Sequence, residues 1–130
     1  MKLRVTREAL DRLQAEARAS ATKECCGLLL GDGAVEEARP AANVAADPRR
    51  RFEIDPRALV DAHRTAREGG PAVIGYYHSH PTGPAAPSDT DRAMAAGDGM
   101  VWAIVAGGGV TFWRDDGDGF APLPYAVEDR

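Results

Sequence analysis

Apolar positions recur along this chain at two spacings, and each change of spacing marks the edge of an element. Lys2 to Val5 predicts a short strand, and Thr6 is placed to cap the helix that follows. Leu10, Leu13 and Ala17 then recur at helical spacing, with Glu8 in the first turn and a soft ending around Ser20 to Thr22. From Glu24 to Gly31 the apolar and small residues run without a break, which predicts a buried strand entering the turn Gly31-Asp32-Gly33. Ala34 to Arg39 is the expected hairpin partner, and Pro40 to Arg50 reads as a surface loop. Arg51-Phe52-Glu53-Ile54 alternates like a half-buried edge strand.

Asp55 and Pro56 supply an N-cap and a first-turn proline for a helix reaching about Glu68, where Gly69-Gly70-Pro71 stops it. Leu59, Val60 and His63 share one face of that helix, and His63 reads as a partly exposed packing residue. Ala72 to Tyr77, with β-branched Val73 and Ile74, is the expected central strand. A helix follows from Ser88 to about Ala96, ended at Gly97. Met100 to Val105 and Val110 to Arg114 form a hairpin about Gly107-Gly108-Gly109, with Trp102 and Trp113 adding core area. After a polar turn from Asp115 to Gly119, a proline-broken tail from Phe120 to Val127 is expected along the sheet edge. This order predicts an α+β or mixed α/β fold in which helices flank one sheet.

Composition narrows the class without changing that picture. The 130 residues suit one domain, and 44% apolar with 28% charged residues is an ordinary soluble composition. A net charge of −4 and scattered arginines argue against a nucleic-acid partner, which needs a concentrated cationic face. Cys25 and Cys26 are adjacent, so a bond between them would be strained and would close almost no loop. They are expected to be reduced and buried. The N-terminus lacks a signal-peptide core and no run of 18 apolar residues occurs, so the expectation is a cytoplasmic protein with no membrane partner.

The chemistry concentrates in Gly75-Tyr76-Tyr77-His78-Ser79-His80-Pro81 and its continuation Ser88-Asp89-Thr90-Asp91. On a strand, His78 and His80 point to the same side. Ser88 and Asp91, three apart, share the first-turn face of the next helix, and the intervening loop can return the carboxylate to the imidazoles. Taken singly, each piece has an ordinary role: histidines at a strand end, Asp91 as a first-turn acid, Ser88 as its cap. Together, two imidazoles and one carboxylate suit a catalytic zinc, which takes three protein ligands and leaves a fourth position for water.

These residues resemble the signature of the JAMM, or MPN-plus, zinc metalloproteases. That signature is an upstream glutamate, then His-Ser/Thr-His-Pro, seven residues to a serine and two more to an aspartate. Pro81 to Pro87 are the seven here and Asp89-Thr90 the two, while Glu24 with Cys-Gly-Leu-Leu-Leu-Gly after it is similar to the glutamate-bearing strand. The likeness runs from about Glu24 to Trp113 and implies a curved mixed sheet flanked by helices, the MPN or cytidine-deaminase-like arrangement. It also implies roles. His78, His80 and Asp91 would hold one zinc, Glu24 would act as general acid and base without binding the metal, and Ser88 would hydrogen-bond the developing oxyanion. The implied activity is hydrolysis of an amide or isopeptide bond after the Gly-Gly tail of a ubiquitin-like protein. For a chain this compact, the resemblance points to a sulfur-carrier protein, as a carrier-cysteine adduct or a C-terminal extension.

Two other readings belong to different classes. One is a catalytically silent MPN scaffold that binds partners, although such members typically lose the ligands that this chain keeps. The other is a RadC-like domain with a DNA-repair connection, disfavoured by the missing basic stripe. A homodimer stays open, since nothing in the sequence demands one.

Overall fold

In a computed structural model, residues 2–129 are described. A six-stranded mixed sheet runs in the order β3-β2-β4-β5-β6-β7, built from β2 (Cys26–Gly31), β3 (Glu37–Ala41), β4 (Ala72–Ser79), β5 (Val101–Ala106), β6 (Gly109–Asp115) and β7 (Phe120–Leu123). Only β4 and β5 are parallel. The remaining neighbours are antiparallel. A second sheet pairs β1 (Leu3–Thr6) in parallel with β8 (Tyr125–Glu128). Among the described residues there are three helices: α1 (Arg7–Ala19), α2 (Pro56–Arg67) and α3 (Asp89–Met94).

Helix α1 begins where the sequence predicts, because the Thr6 hydroxyl accepts the Ala9 N–H at 3.1 Å. Its Ala9, Leu10 and Leu13 cover one face of the main sheet, packing with Leu29, Tyr77, Ala103, Val105 and Phe112. The other face carries Cys26, Leu28, Leu30 and Trp102, closed over by Phe52, Ile54 and Ala62. The expected α+β arrangement, helices on both faces of a mixed sheet, is therefore the observed one. Gly75 is required inside it: a Cβ there would run into the Val101 backbone, so β4 and β5 approach closely only without a side chain.

Several local expectations are corrected. The return strand starts at Glu37, not Ala34, because Val35 is drawn into a parallel bridge with Val5 that ties the small sheet to the large one. Pro40 lies within that strand and not in the loop. It is tolerated because β3 is an edge and needs no donor on its outer side. Arg51 to Ile54 forms no ladder beyond the isolated bridge Asn43↔Ile54. The Asn43 side chain takes the remaining backbone groups, accepting from Ala45 and Glu53 N–H and donating to the Arg51 carbonyl. On α2 the buried position is Ala62, while Val60 is exposed and His63 half-buried.

Helix α3 ends at Met94, with Ala95 already extended; Gly97 does not cap it but gives its N–H to the Asp115 carboxylate at 2.8 Å. The tail is two strands, one continuing the main sheet and one pairing with β1. Cys26 is buried as expected, but Cys25 is only half-buried, and so is Trp113.

Candidate metal centre

Strand β4 carries His78 and leads straight into His80, so period-two alternation turns both imidazoles to one side. The seven-residue loop that follows holds three prolines, and two bonds fix its path. The His80 Nδ1–H donates to the Pro84 carbonyl at 2.9 Å, and the Thr111 hydroxyl donates to the Ala85 carbonyl at 2.7 Å. The chain then enters α3 through a reciprocal capping box: the Ser88 hydroxyl oxygen accepts the Asp91 N–H and Asp91 Oδ2 accepts the Ser88 N–H, both at 3.0 Å.

That box aims Asp91 at the imidazoles. Its Oδ2 lies 3.0 Å from His78 Nε2 and 3.0 Å from His80 Nε2, and the two nitrogens are 3.1 Å apart. All three side chains are buried. With the His80 proton placed on Nδ1 by the Pro84 carbonyl, its Nε2 presents a lone pair to the other two atoms. Protons carried by these side chains cannot satisfy three mutual contacts. A cation at their centre can, and edges of 3.0–3.1 Å are close to the ~3.3 Å between ligands of a tetrahedral ion with ~2.0 Å bonds. The group fits a metal ion.

The surroundings hold the donors in place. Phe52 stacks on His78, with ring centroids 4.3 Å apart and planes 16° off parallel, and Trp102 meets the same imidazole edge-on. Burial pushes the His78 pKa down, towards the neutral ligand form. Burial would do the same to His80, but the hydrogen bond to Asp91, the Pro84 carbonyl and the nearby carboxylates outweigh it and raise its pKa. For Asp91 burial acts upwards, and the contacts with His78 and His80 overcome it, holding the carboxyl well below the usual range.

Glu24 comes from the opposite direction. Cys26 pairs with His78 in the antiparallel β2–β4 ladder, so two residues further on Glu24 falls opposite His80. Ser79, alternating to the other face, clips that end of the ladder: its hydroxyl accepts the Cys25 N–H at 2.9 Å and its N–H donates to the Cys25 carbonyl at 3.0 Å. The Glu24 side chain is 5% exposed, and its Oε1 has no hydrogen-bond partner. Burial, then the charge of Asp91, raise its pKa to about 7, with His80 acting the other way. Glu24, His80 and Ser88 line one cavity of about 280 Å³. All five residues singled out in the sequence thus meet at one place.

Four supporting residues were missed. Ser79, Pro84 and Phe52 act through a strand clip, a backbone carbonyl and a ring stack, none of which has a sequence signal. Asn43 stands in the predicted loop, and an asparagine there could have been read as a backbone-mimicking side chain. Its Nδ2 also donates to the Glu24 carbonyl at 2.9 Å.

Residues 6–116 match the model of the family described as prokaryotic homologs of the JAB domain. The chain belongs to this prokaryotic JAB family. Desampylase of Haloferax volcanii is 37% identical over 98% of this chain and 97% of its own length. A probable TtuB-protein conjugate cleaving protease of Thermus thermophilus is 38% identical over 68% of this chain, which spans 60% of that longer protein. Among solved structures, protein DSY2949 of Desulfitobacterium hafniense superimposes with a TM-score of 0.82 at 26% identity, covering 98% of this chain and 94% of that one. As a JAB-family member with the His78-His80-Asp91 group assembled, the chain is a hydrolase.

Proposed function

We propose that this chain is a single-domain, zinc-dependent metallopeptidase that hydrolyses the amide bond after the Gly-Gly tail of a ubiquitin-like sulfur-carrier protein, the substrate being a carrier-cysteine adduct or a carrier with a C-terminal extension. The observation that carries the proposal is the triangle of His78 Nε2, His80 Nε2 and Asp91 Oδ2 with Glu24, its Oε1 unpartnered, lining one cavity with His80. Two nitrogens and one oxygen are a donor set used for catalytic zinc, and three protein ligands leave one position open. Bound there, zinc supplies an activated water and polarises the substrate carbonyl.

The protein's own groups do the rest. A carboxyl with a pKa of about 7 exchanges a proton at neutral pH, so Glu24 removes one from the attacking water and delivers it to the departing amine. The Ser88 oxygen already accepts the Asp91 N–H, which leaves its hydroxyl hydrogen to donate to the oxygen that becomes negative. The conjugate-cleaving name of the Thermus relative supports a ubiquitin-like substrate. The sulfur-carrier assignment rests on the family resemblance of a compact chain.

The test is zinc content followed by incubation with Gly-Gly-tailed carrier conjugates, read by intact mass. Wild type is expected to hold one zinc and release the carrier. Glu24→Gln should keep zinc and lose cleavage, and Asp91→Ala should lose zinc. Cleavage by Glu24→Gln at the wild-type rate would remove Glu24 from its assigned role.

A further inference from the structure

The cavity that holds Glu24 and Ser88 also carries a pair of cations that the chemistry above does not use. Arg49 and Arg50 line it, together with Pro81, Pro84 and Thr90. Their segment is fastened to the catalytic strand. The Glu24 N–H donates to the Pro48 carbonyl at 2.8 Å, one residue before Arg49, and Asn43 bonds the Glu24 carbonyl. The turn itself is closed by the Arg50 and Arg51 N–H groups, both donating to the Asp47 carbonyl at 3.2 Å. These bonds fasten the backbone that carries the arginines to that of Glu24, while their side chains reach into solvent.

Their charge is largely uncommitted. Arg50 faces the Asp47 carboxylate at 3.6 Å in an exposed contact, and Arg49 has no ion-pair partner among the described residues. The carboxylate that shares their cavity is Glu24, whose Oε1 pairs with neither arginine. A guanidinium pair beside a cavity is suited to a carboxylate, which arginine binds in a bidentate fork.

Geometry also says which part of the substrate meets them. In the proposed reaction, on which this inference rests, Glu24 hands a proton to the departing nitrogen, so that nitrogen lies next to Glu24. The group attached to it then occupies the cavity that Arg49 and Arg50 line together with Glu24. We infer that these two arginines select leaving groups carrying a carboxylate close to the released amine, as a free α-amino acid does and a lysine side chain within a protein does not. They are specificity residues; they take no part in bond breaking.

The experiment uses zinc-loaded full-length protein and three substrates with the same ubiquitin-fold carrier ending in Gly-Gly. The first is joined to alanine, the second to alaninamide, and the third to the side-chain amine of lysine in a neutral peptide. A charge-assisted contact of this kind corresponds to ~10- to 100-fold. The alanine adduct is therefore expected to lead in kcat/KM by at least about tenfold, mostly through KM. Arg49→Ala/Arg50→Ala should erase that lead and leave the alaninamide rate unchanged. Calorimetry with the Glu24→Gln protein should show the same order of affinity without turnover. Equal rates for the three substrates in wild type, or a preference that survives the double substitution, overturns the inference and leaves the hydrolase reading standing. Cleavage of none of the three removes the conjugate-hydrolase reading, and the selectivity falls with it.

Discussion

Phe52 lies flat against the His78 imidazole, 4.3 Å between ring centroids, and so makes the core on one face of the sheet continuous with the His78-His80-Asp91 group. Its ring is buried, and truncation would leave a cavity beside the His78 imidazole, which Trp102 and His80 meet only edge-on. Phe52→Ala should destabilise the protein by about 3–5 kcal/mol, a loss of roughly 10–20 °C in Tm. It should also weaken metal binding, because the freed imidazole must be reordered before it can coordinate. Phe52→Leu fills most of the volume and should recover most of the Tm. Thermal unfolding and metal titration of both variants measure the two effects separately.

Ser88 has two duties, and substitution should separate them. As the N-cap of α3 its hydroxyl oxygen accepts the Asp91 N–H, a contact worth about 1 kcal/mol. As a donor to the developing oxyanion it would contribute ~100-fold or more in rate. Ser88→Ala is expected to lower stability by that modest amount in denaturant unfolding while reducing kcat far more than 1 kcal/mol can explain. A rate that falls only in proportion to the folded fraction would leave Ser88 as a cap alone.

Glu24 should make the metal-free protein pH-sensitive in a direction set by its raised pKa. Burial raises the folded carboxyl to about 7 from its ordinary 4.5, so the folded state holds the proton more tightly than the unfolded chain. That contribution is fully present below pH 4.5 and is lost as the pH rises through 7. At pH 8 the ionised, buried side chain should cost roughly 3 kcal/mol. Glu24→Gln removes the titration. The stability gained over wild type should be small at pH 5 and grow towards pH 8, as read from urea midpoints of the two metal-free proteins. A gain independent of pH would show that the carboxyl is not held near neutrality.

The two cysteines should be slow to react in the folded protein. Burial, followed by the neighbouring Cys25 and Glu24, pushes the Cys26 thiol up to about 12, which leaves ~1 thiolate in 10⁴ at pH 8. Burial also raises the half-buried Cys25. Iodoacetamide at pH 8 is expected to leave Cys26 unmodified over times in which the unfolded chain is fully alkylated, as peptide mass spectrometry would show. Rapid labelling of Cys26 would mean that the β2 end opens readily.

Much of this molecule was legible before any coordinates. Helical spacing and the Thr6 cap located α1, the unbroken apolar run located β2, and the His78, His80, Ser88 and Asp91 spacing located the site, because each follows from a local period or a local cap. Fine placement was less legible wherever a distant partner competed. Val35 left its hairpin to bridge Val5, and the segment about Phe52 surrendered its ladder bonds to the Asn43 side chain. Periodicity registers which face a residue prefers and says nothing about which backbone will supply its hydrogen bonds.

The chain's own order of residues was enough to establish two imidazoles on one side of a strand, an aspartate one helical turn past its cap, and a glutamate at the mouth of a buried strand. Folding in three dimensions set everything that depends on separation in space. The antiparallel β2–β4 register put Glu24 opposite His80, burial and the Asp91 charge brought its carboxyl near neutrality, and the Pro48 carbonyl moored two arginines to the same cavity. These relations join residues dozens of positions apart, and a pKa or a charge pocket is a property of the medium around a group, which exists only once the sheet has closed over it.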